Sequence, residues 1–386
     1  YVTQKDYPDA IKAYERLYDS NKARTDVLQL LYQLYGSQND YRKMISTLER
    51  LETVEGSNEQ ISLSKMQIYE QMGEKRKEYD ELKSLVDSHP LELNYQVMFG
   101  NWLLQNGKKK EALQKYRDVL KDDPDNSLAR LSMMDYYSSI GDQTTVNAIR
   151  RELLQSAKTE QNTKVELLRQ VIAASQKDNT PDSTEVMRLF SVALAAPQEN
   201  ADILMLKAAY MTLRKMPKTD INHVYEQAIE VEPDNSRARI LLIQNIWETE
   251  DYDKVIAICR PALEYNPDEM AFYYFQGMAQ YQKHENDAAL TTFRKGVGQI
   301  KPDSNPDIVS DFYAIMGDIL HEKGLNDEAF QAYDSCLQWK PDNTAALNNY
   351  AYYLSVENRN LAKAEQMSYK TIKAEPSNST FLDTYA

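Results

Sequence analysis

The sequence has 386 residues and a formal net charge of −14, from 45 lysines and arginines against 59 aspartates and glutamates. Such a chain repels phosphate backbones and anionic lipid surfaces on average, which argues against nucleic acid and membrane as partners. Two cysteines are too few for a disulfide framework, and no run of 18 apolar residues could span a bilayer.

Prolines recur with a period close to 34 residues. Pro90 and Pro124 are 34 residues apart, as are Pro233 and Pro267. Between these prolines, the apolar residues follow the spacing of two amphipathic helices joined by a turn. One helix pair of this size cannot bury its apolar side alone, so the sequence predicts that successive pairs stack as a solenoid.

Taken in chain order, the pattern predicts a single array over 1–386. It begins with a partial repeat at 1–24 and ends with a partial repeat at 377–386. The ten full repeats are 25–57, 58–90, 91–124, 125–158, 159–197, 198–233, 234–267, 268–302, 303–341 and 342–376. The stretch "SQKDNTPDS" at 175–183 lengthens a turn. Because both ends cut through a repeat, we expect the array to continue beyond them.

Small residues indicate where the paired helices meet. In first helices they are Gly100, Ala209, Gly277, Gly317 and Ala351, and in second helices they are Ala10, Ala112, Ala289, Ala329 and Ala364. Four residues after the second-helix alanine, an aromatic residue is predicted to fill the space between the two helices at Tyr14, Tyr116, Phe293 and Tyr333.

The corner between repeats also recurs. "KDDPDNSLARL" at 121–131, "EVEPDNSRARI" at 230–240 and "QWKPDNTAALN" at 338–348 each combine a helix end, a tight turn and an N-cap for the next helix. Inside a repeat, Gly324 is predicted to end the first helix with a positive φ.

This order of small residue, aromatic, alanine, aromatic and proline resembles the tetratricopeptide-repeat family, in its bacterial type. The resemblance covers essentially the whole chain. It implies an all-α fold, an α-solenoid of stacked antiparallel helix pairs that form a right-handed superhelix with the first helices on its concave side. Residues 342–370 resemble bacterial members, many of them found in the cell envelope. Localisation stays open between the bacterial cell envelope or periplasm and the cytoplasm, and the resemblance alone favours the envelope.

The residues that could carry chemistry do not form a site in the sequence. His89, His223, His284 and His321 match no metal-ligand spacing. Cys259 and Cys336 fall on stripes predicted to be buried, which is typical of small core residues. No glycine-rich phosphate loop is present. We therefore expect no enzyme activity, no metal and no cofactor.

The inward positions of the first helices predict a binding groove at 203–281. Its residues are Ile203, Leu206, Tyr210, Leu213, Ile240, Gln244, Trp247, Tyr274, Met278 and Tyr281. Trp, Tyr and Met are enriched in binding hot spots. The alternative is that neighbouring helices bury part of this lining. Further along, the lining becomes polar, with Asp311, Asp318, His321, Asn348 and Tyr352.

The groove lacks the basic clamp that some tetratricopeptide proteins use for acidic tails, so an apolar or basic ligand suits it better. Acidic surroundings would attract a basic partner. We expect a non-enzymatic scaffold for a protein or peptide partner, with no nucleic acid and no direct membrane insertion. The alternatives are a structural or self-assembly arm of a larger protein, and a regulatory arm attached to an enzyme or envelope complex. Self-association stays open.

Overall fold

Every regular element in the described residues is an α-helix. The computed structural model describes residues 7–56, 58–177 and 183–386. Residues 1–6, Ser57 and residues 178–182 lie outside that description, and with them part of the predicted partial repeat 1–24 and of the predicted turn at 175–183. The chain divides into two units, residues 1–167 and residues 168–386.

The first unit contains nine helices and the start of a tenth within the described residues. They are α1 (Tyr7–Ser20), α2 (Thr25–Ser37), α3 (Tyr41–Glu55), α4 (Glu59–Met72), α5 (Lys75–Ser88), α6 (Leu93–Gln105), α7 (Lys109–Asp122), α8 (Ser127–Ser139), α9 (Gln143–Gln155) and α10 (Gln161–Lys177), whose last ten residues belong to the second unit.

The second unit continues from α10 with twelve further helices in its described part. They are α11 (Thr184–Ala193), α12 (Asp202–Leu213), α13 (Lys218–Val231), α14 (Ser236–Trp247), α15 (Tyr252–Tyr265), α16 (Met270–Gln282), α17 (Asn286–Val297), α18 (Pro306–Glu322), α19 (Asn326–Trp339), α20 (Thr344–Val356), α21 (Leu361–Ala374) and α22 (Ser379–Tyr385).

Helices pack mainly on their neighbours in the sequence, as in an α-solenoid of stacked antiparallel helix pairs. Each predicted full repeat holds two consecutive helices, for example α18 and α19 in 303–341. In the pairs from α2–α3 to α8–α9 and from α12–α13 to α20–α21 the two helices pack closely, and within each of these two series the second helix packs on the first helix of the following pair. First helices also contact each other in the series α14, α16, α18 and α20. We call the surface along this series the first-helix face. The repeat boundaries themselves stay a prediction.

Glycine lets the paired helices approach closely. A Cβ atom added to Gly277 would lie 2.5 Å from Phe293 Cε1, and one added to Gly317 would lie 2.8 Å from Tyr333 Cζ. Gly100 faces Tyr116 in the same way. The predicted pairing of a small residue with an aromatic one is thus confirmed at three repeats.

One repeat reverses this division of volume. Ile243 and Cys259 occupy the positions 34 residues before Gly277 and Phe293, and both are fully buried in one core cluster. A large first-helix residue is here matched by a small second-helix residue, which keeps the interior filled without overlap.

The Pro-Asp-Asn corners are N-caps, as predicted. The side-chain oxygens of Asn126, Asn235 and Asn343 accept hydrogen bonds of 2.9–3.0 Å from the backbone N–H three residues on. Inside the repeats, Gly324 has φ +73°, also as predicted, while Glu250 takes the same left-handed conformation with φ +57°. A residue with a Cβ is strained there, so this turn costs stability.

Candidate functional site

Six of the predicted groove residues lie on two helices in contact, α14 and α16. Gln244 is exposed at the middle of α14. The other five, all half-buried, are Ile240, Trp247, Tyr274, Met278 and Tyr281. These side chains are partly enclosed by their neighbours and partly open, as the side chains that anchor protein interfaces commonly are.

Aromatic rings run continuously from α14 to α18. The ring of Trp247 lies 6.1 Å from that of Phe275, and Phe275 lies 5.7 Å from Tyr274. The ring of Tyr274 then stacks on Phe312 with 6.0 Å between centroids. Phe275 was not among the predicted residues. The available signal was that α14 and α16 each carry two adjacent apolar residues at corresponding positions, Ile240–Leu241 and Tyr274–Phe275.

The prediction for α12 is wrong at two residues. Ile203 and Tyr210 are 0% and 3% exposed. Ala208, not the expected Ala209, is the buried small residue, because α12 lies one residue out of the predicted register. That shift turns Tyr210 inward, where its ring lies 6.1 Å from Phe190.

The other two predicted residues of α12 are accessible. Leu206 is half-buried and Leu213 is 56% exposed. Eight of the ten predicted residues therefore reach solvent at least in part, six of them on α14 and α16.

The polar residues predicted beyond the groove are centred on α18. The Asp318 carboxylate accepts hydrogen bonds from the hydroxyl of Tyr333 and, at 3.0 Å, from the amide of Asn349. Burial raises the pKa of the Asp318 carboxyl, although these two bonds act in the opposite direction. Burial also raises the pKa of Asp311, whose Oδ2 accepts from the Tyr274 hydroxyl at 3.4 Å.

Neither cysteine is placed for reaction. Cys259 and Cys336 are both fully buried. Burial raises the pKa of the Cys259 thiol to about 12 and that of the Cys336 thiol to about 11. Since the thiolate is the reactive form, both are inert core residues at neutral pH.

In the described part of the chain, no three histidine, cysteine or carboxylate side chains are grouped as metal ligands. Nor is any described helix both long and apolar enough to cross a membrane.

Family models place the repeat on much of the sequence. Three models, each described as tetratricopeptide repeat, match residues 2–177, 247–305 and 310–343. The chain belongs to the tetratricopeptide-repeat family. Tetratricopeptide-repeat proteins are scaffolds for protein–protein interaction and are typically non-catalytic.

Several solved structures are similar to this tetratricopeptide-repeat chain. A crystal structure of MamA is 17% identical over 40% of this chain and 87% of its own, with a TM-score of 0.36. The APC/C hetero-tetramer Cut9–Hcn1 is 12% identical over 100% of this chain and 94% of its own, with a TM-score of 0.40.

The C-terminal part of a tetratricopeptide-repeat protein from Cytophaga hutchinsonii is 12% identical over 75% of this chain and 99% of its own, with a TM-score of 0.42. Similarities this distant say nothing of function. No curated protein matches the sequence.

Proposed function

We propose that the first-helix face around α14 and α16 binds a segment of a partner protein. The observation that carries the proposal is the aromatic run from Trp247 through Phe275 to Tyr274, half-buried beside the exposed Gln244. Large, partly enclosed aromatic and methionine side chains supply most of the binding energy at protein interfaces. Their conformational entropy is already reduced by the contacts they make with each other, which favours binding further.

The shape of the helix row suits an elongated ligand. The first helices α14, α16 and α18 pack side by side. The accessible part of the aromatic run crosses α14 and α16 and ends on the buried Phe312 of α18. A helix or an extended strand of the partner can lie along such a row and contact each helix in turn.

Two variants test the proposal. A triple alanine variant at Trp247, Tyr274 and Met278 removes the apolar contacts. The single variant Gln244→Arg introduces a long charged side chain into the middle of the face, and because Gln244 is exposed it removes no packing. The matched control replaces three exposed apolar residues of second helices with alanine, namely Val231, Tyr265 and Tyr369.

The probe is a displayed library of random 12-residue peptides selected on the unmodified protein, followed by anisotropy titrations of the selected peptides. We expect the triple variant and Gln244→Arg each to weaken binding at least tenfold, about 1.4 kcal/mol, and the control to leave it unchanged. If all variants bind alike, the face is not the site. If the triple variant instead changes the oligomeric state in sedimentation, the self-assembly alternative is supported.

A further inference from the structure

The charged residues of the first-helix face at α16, α18 and α20 are acidic. Helices α16, α18 and α20 contact each other in that order and contain no lysine or arginine. Their acidic residues are all on α18, at Asp307, Asp311, Asp318 and Glu322. Lys340 pairs with Asp307 of α18 at 2.7 Å. Burial raises the pKa of Asp311, and the charge of the nearby Lys340 acts in the opposite direction. Within the described residues, neither Asp311 nor Asp318 forms an ion pair with a lysine or arginine.

Asp318 is held by neutral donors only. The Tyr333 hydroxyl of α19 and the Asn349 amide of α20 both donate to its Oδ1, which holds the carboxylate of α18 between these two helices. A carboxylate in partly desolvated surroundings attracts a cation more strongly than one in water, because the effective dielectric constant is lower. Within the described residues, no lysine or arginine pairs with the Asp318 carboxylate, so a cation of a ligand would be its first ion-pair partner.

Tyrosine rings lie near this carboxylate, since the Tyr353 ring is 6.1 Å from that of Tyr333, whose hydroxyl donates to Asp318. Burial raises the pKa of Tyr281, and the charges of Asp318 and Glu322 raise it further. The same causes raise the pKa of Tyr353 to about 12. The Tyr353 ring also stacks on His321 with 3.7 Å between centroids. Aromatic rings next to carboxylates form a combined cation–π and ion-pair site for an ammonium or guanidinium group.

A buried acceptor in the same network lacks a donor. Asn348 is 5% exposed, its amide donates to Asn349 Oδ1 at 3.3 Å, and its own Oδ1 is enclosed without a hydrogen-bond partner. Asn349 in turn donates to Asp318. An unsatisfied buried acceptor is costly, and a ligand that brings N–H groups to this network would relieve that cost.

We infer that the face of α16, α18 and α20 accepts lysine or arginine side chains of the partner segment, one at Asp318, beside the rings of Tyr281 and Tyr353, and one at Asp311, beside Tyr274. This inference rests on the proposed function, because the same segment would lie along α14 and α16. It specifies the partner segment as one that carries both apolar and basic residues.

The test uses the same displayed peptide library, selected separately on the unmodified protein, on Asp311→Asn/Asp318→Asn and on Glu230→Gln/Glu264→Gln. The asparagine side chains keep an oxygen for the bonds from Tyr274, Tyr333 and Asn349. The Glu230 and Glu264 variant removes the same charge from the exposed surface of second helices, so it controls for general attraction to an acidic protein.

We expect lysine and arginine to be enriched at least threefold in the peptides selected on the unmodified protein and on the control, and not on the double asparagine variant. A synthetic selected peptide should bind at least tenfold more weakly when its basic residue is replaced by glutamine, and the double asparagine variant should abolish that difference.

Equal enrichment on all three proteins would overturn the inference. Selected peptides that are purely apolar, yet lose binding in the Trp247, Tyr274 and Met278 variant, would also overturn it while leaving the proposed function intact. Peptides that respond to neither set of variants would contradict both.

Discussion

The clearest test of the packing is the substitution Gly100→Ala. Alanine favours a helix over glycine by about 1 kcal/mol, so in an open helix this change stabilises the protein. Here the added Cβ would lie 2.9 Å from Tyr116 Cδ1 and 3.1 Å from Cζ, and closer still to Cε1. The sign of the effect therefore depends on whether the ring can move.

Tyr116 has little room to move. Its side chain is fully buried, and its hydroxyl donates to Asn101 Oδ1 at 2.8 Å. Overpacking a rigid core costs about 1–3 kcal/mol, and an overlap with ring carbons places this site near 3 kcal/mol. After the helical gain of about 1 kcal/mol, we expect a net loss of about 2 kcal/mol in the free energy of unfolding.

Gly36→Ala is the matched control in the same unit. Its nearest neighbour is the flexible end of Met44, 3.4 Å from the added Cβ, so we expect it to stabilise the protein by about 0.5 kcal/mol. Urea unfolding followed by circular dichroism gives both values. Adding Tyr116→Leu to Gly100→Ala should cost less than the sum of the two single changes. A neutral or stabilising Gly100→Ala would refute the packing argument.

Three further substitutions should change the stability of the protein, one lowering it and two raising it. Asn343→Ala should lower the free energy of unfolding by about 2 kcal/mol. The change removes an N-cap and also the 3.0 Å hydrogen bond from the Asn343 amide to the buried Ser310 hydroxyl. Urea unfolding would measure the loss, and a loss no larger than that of an exposed N-cap would contradict this reasoning. Glu250→Gly should stabilise the folded protein by about 1 kcal/mol, because glycine adopts the positive φ without strain. An unchanged melting temperature would count against this reason. Asp318→Asn should raise stability at pH 8 and lose this advantage as the pH falls below the ordinary aspartate pKa of 3.8, because a raised folded-state pKa destabilises the ionised form and has no effect once both states are protonated. A stability difference that does not vary with pH would be inconsistent with this reasoning.

The sequence predicted the helix pairs well because their signals are local. Each Pro-Asp-Asn corner carries its own helix end and N-cap, so Asn126, Asn235 and Asn343 could be assigned without knowledge of the fold. The glycine–aromatic contacts could be predicted for a similar reason. A small residue in the first helix and an aromatic residue in the second helix recur at fixed positions of the repeat, as Gly317 and Tyr333 show.

The register of α12 could not be predicted in the same way. No corner motif precedes this helix, so nothing in the sequence decided between Ala208 and Ala209 as the packed residue, and the one-residue error moved Ile203 and Tyr210 from the surface to the core. The network around Asp318 was also out of reach, because it joins residues of three helices whose mutual approach depends on packing.

The most direct test of the central claim is hydrogen exchange of the protein with and without a selected peptide. We predict slower exchange in α14, α16 and α18 when the peptide is bound, with α13, α15 and α17 unchanged, because the ligand covers the first-helix face alone. Protection confined to the second helices, or no change in any of these six, would contradict it.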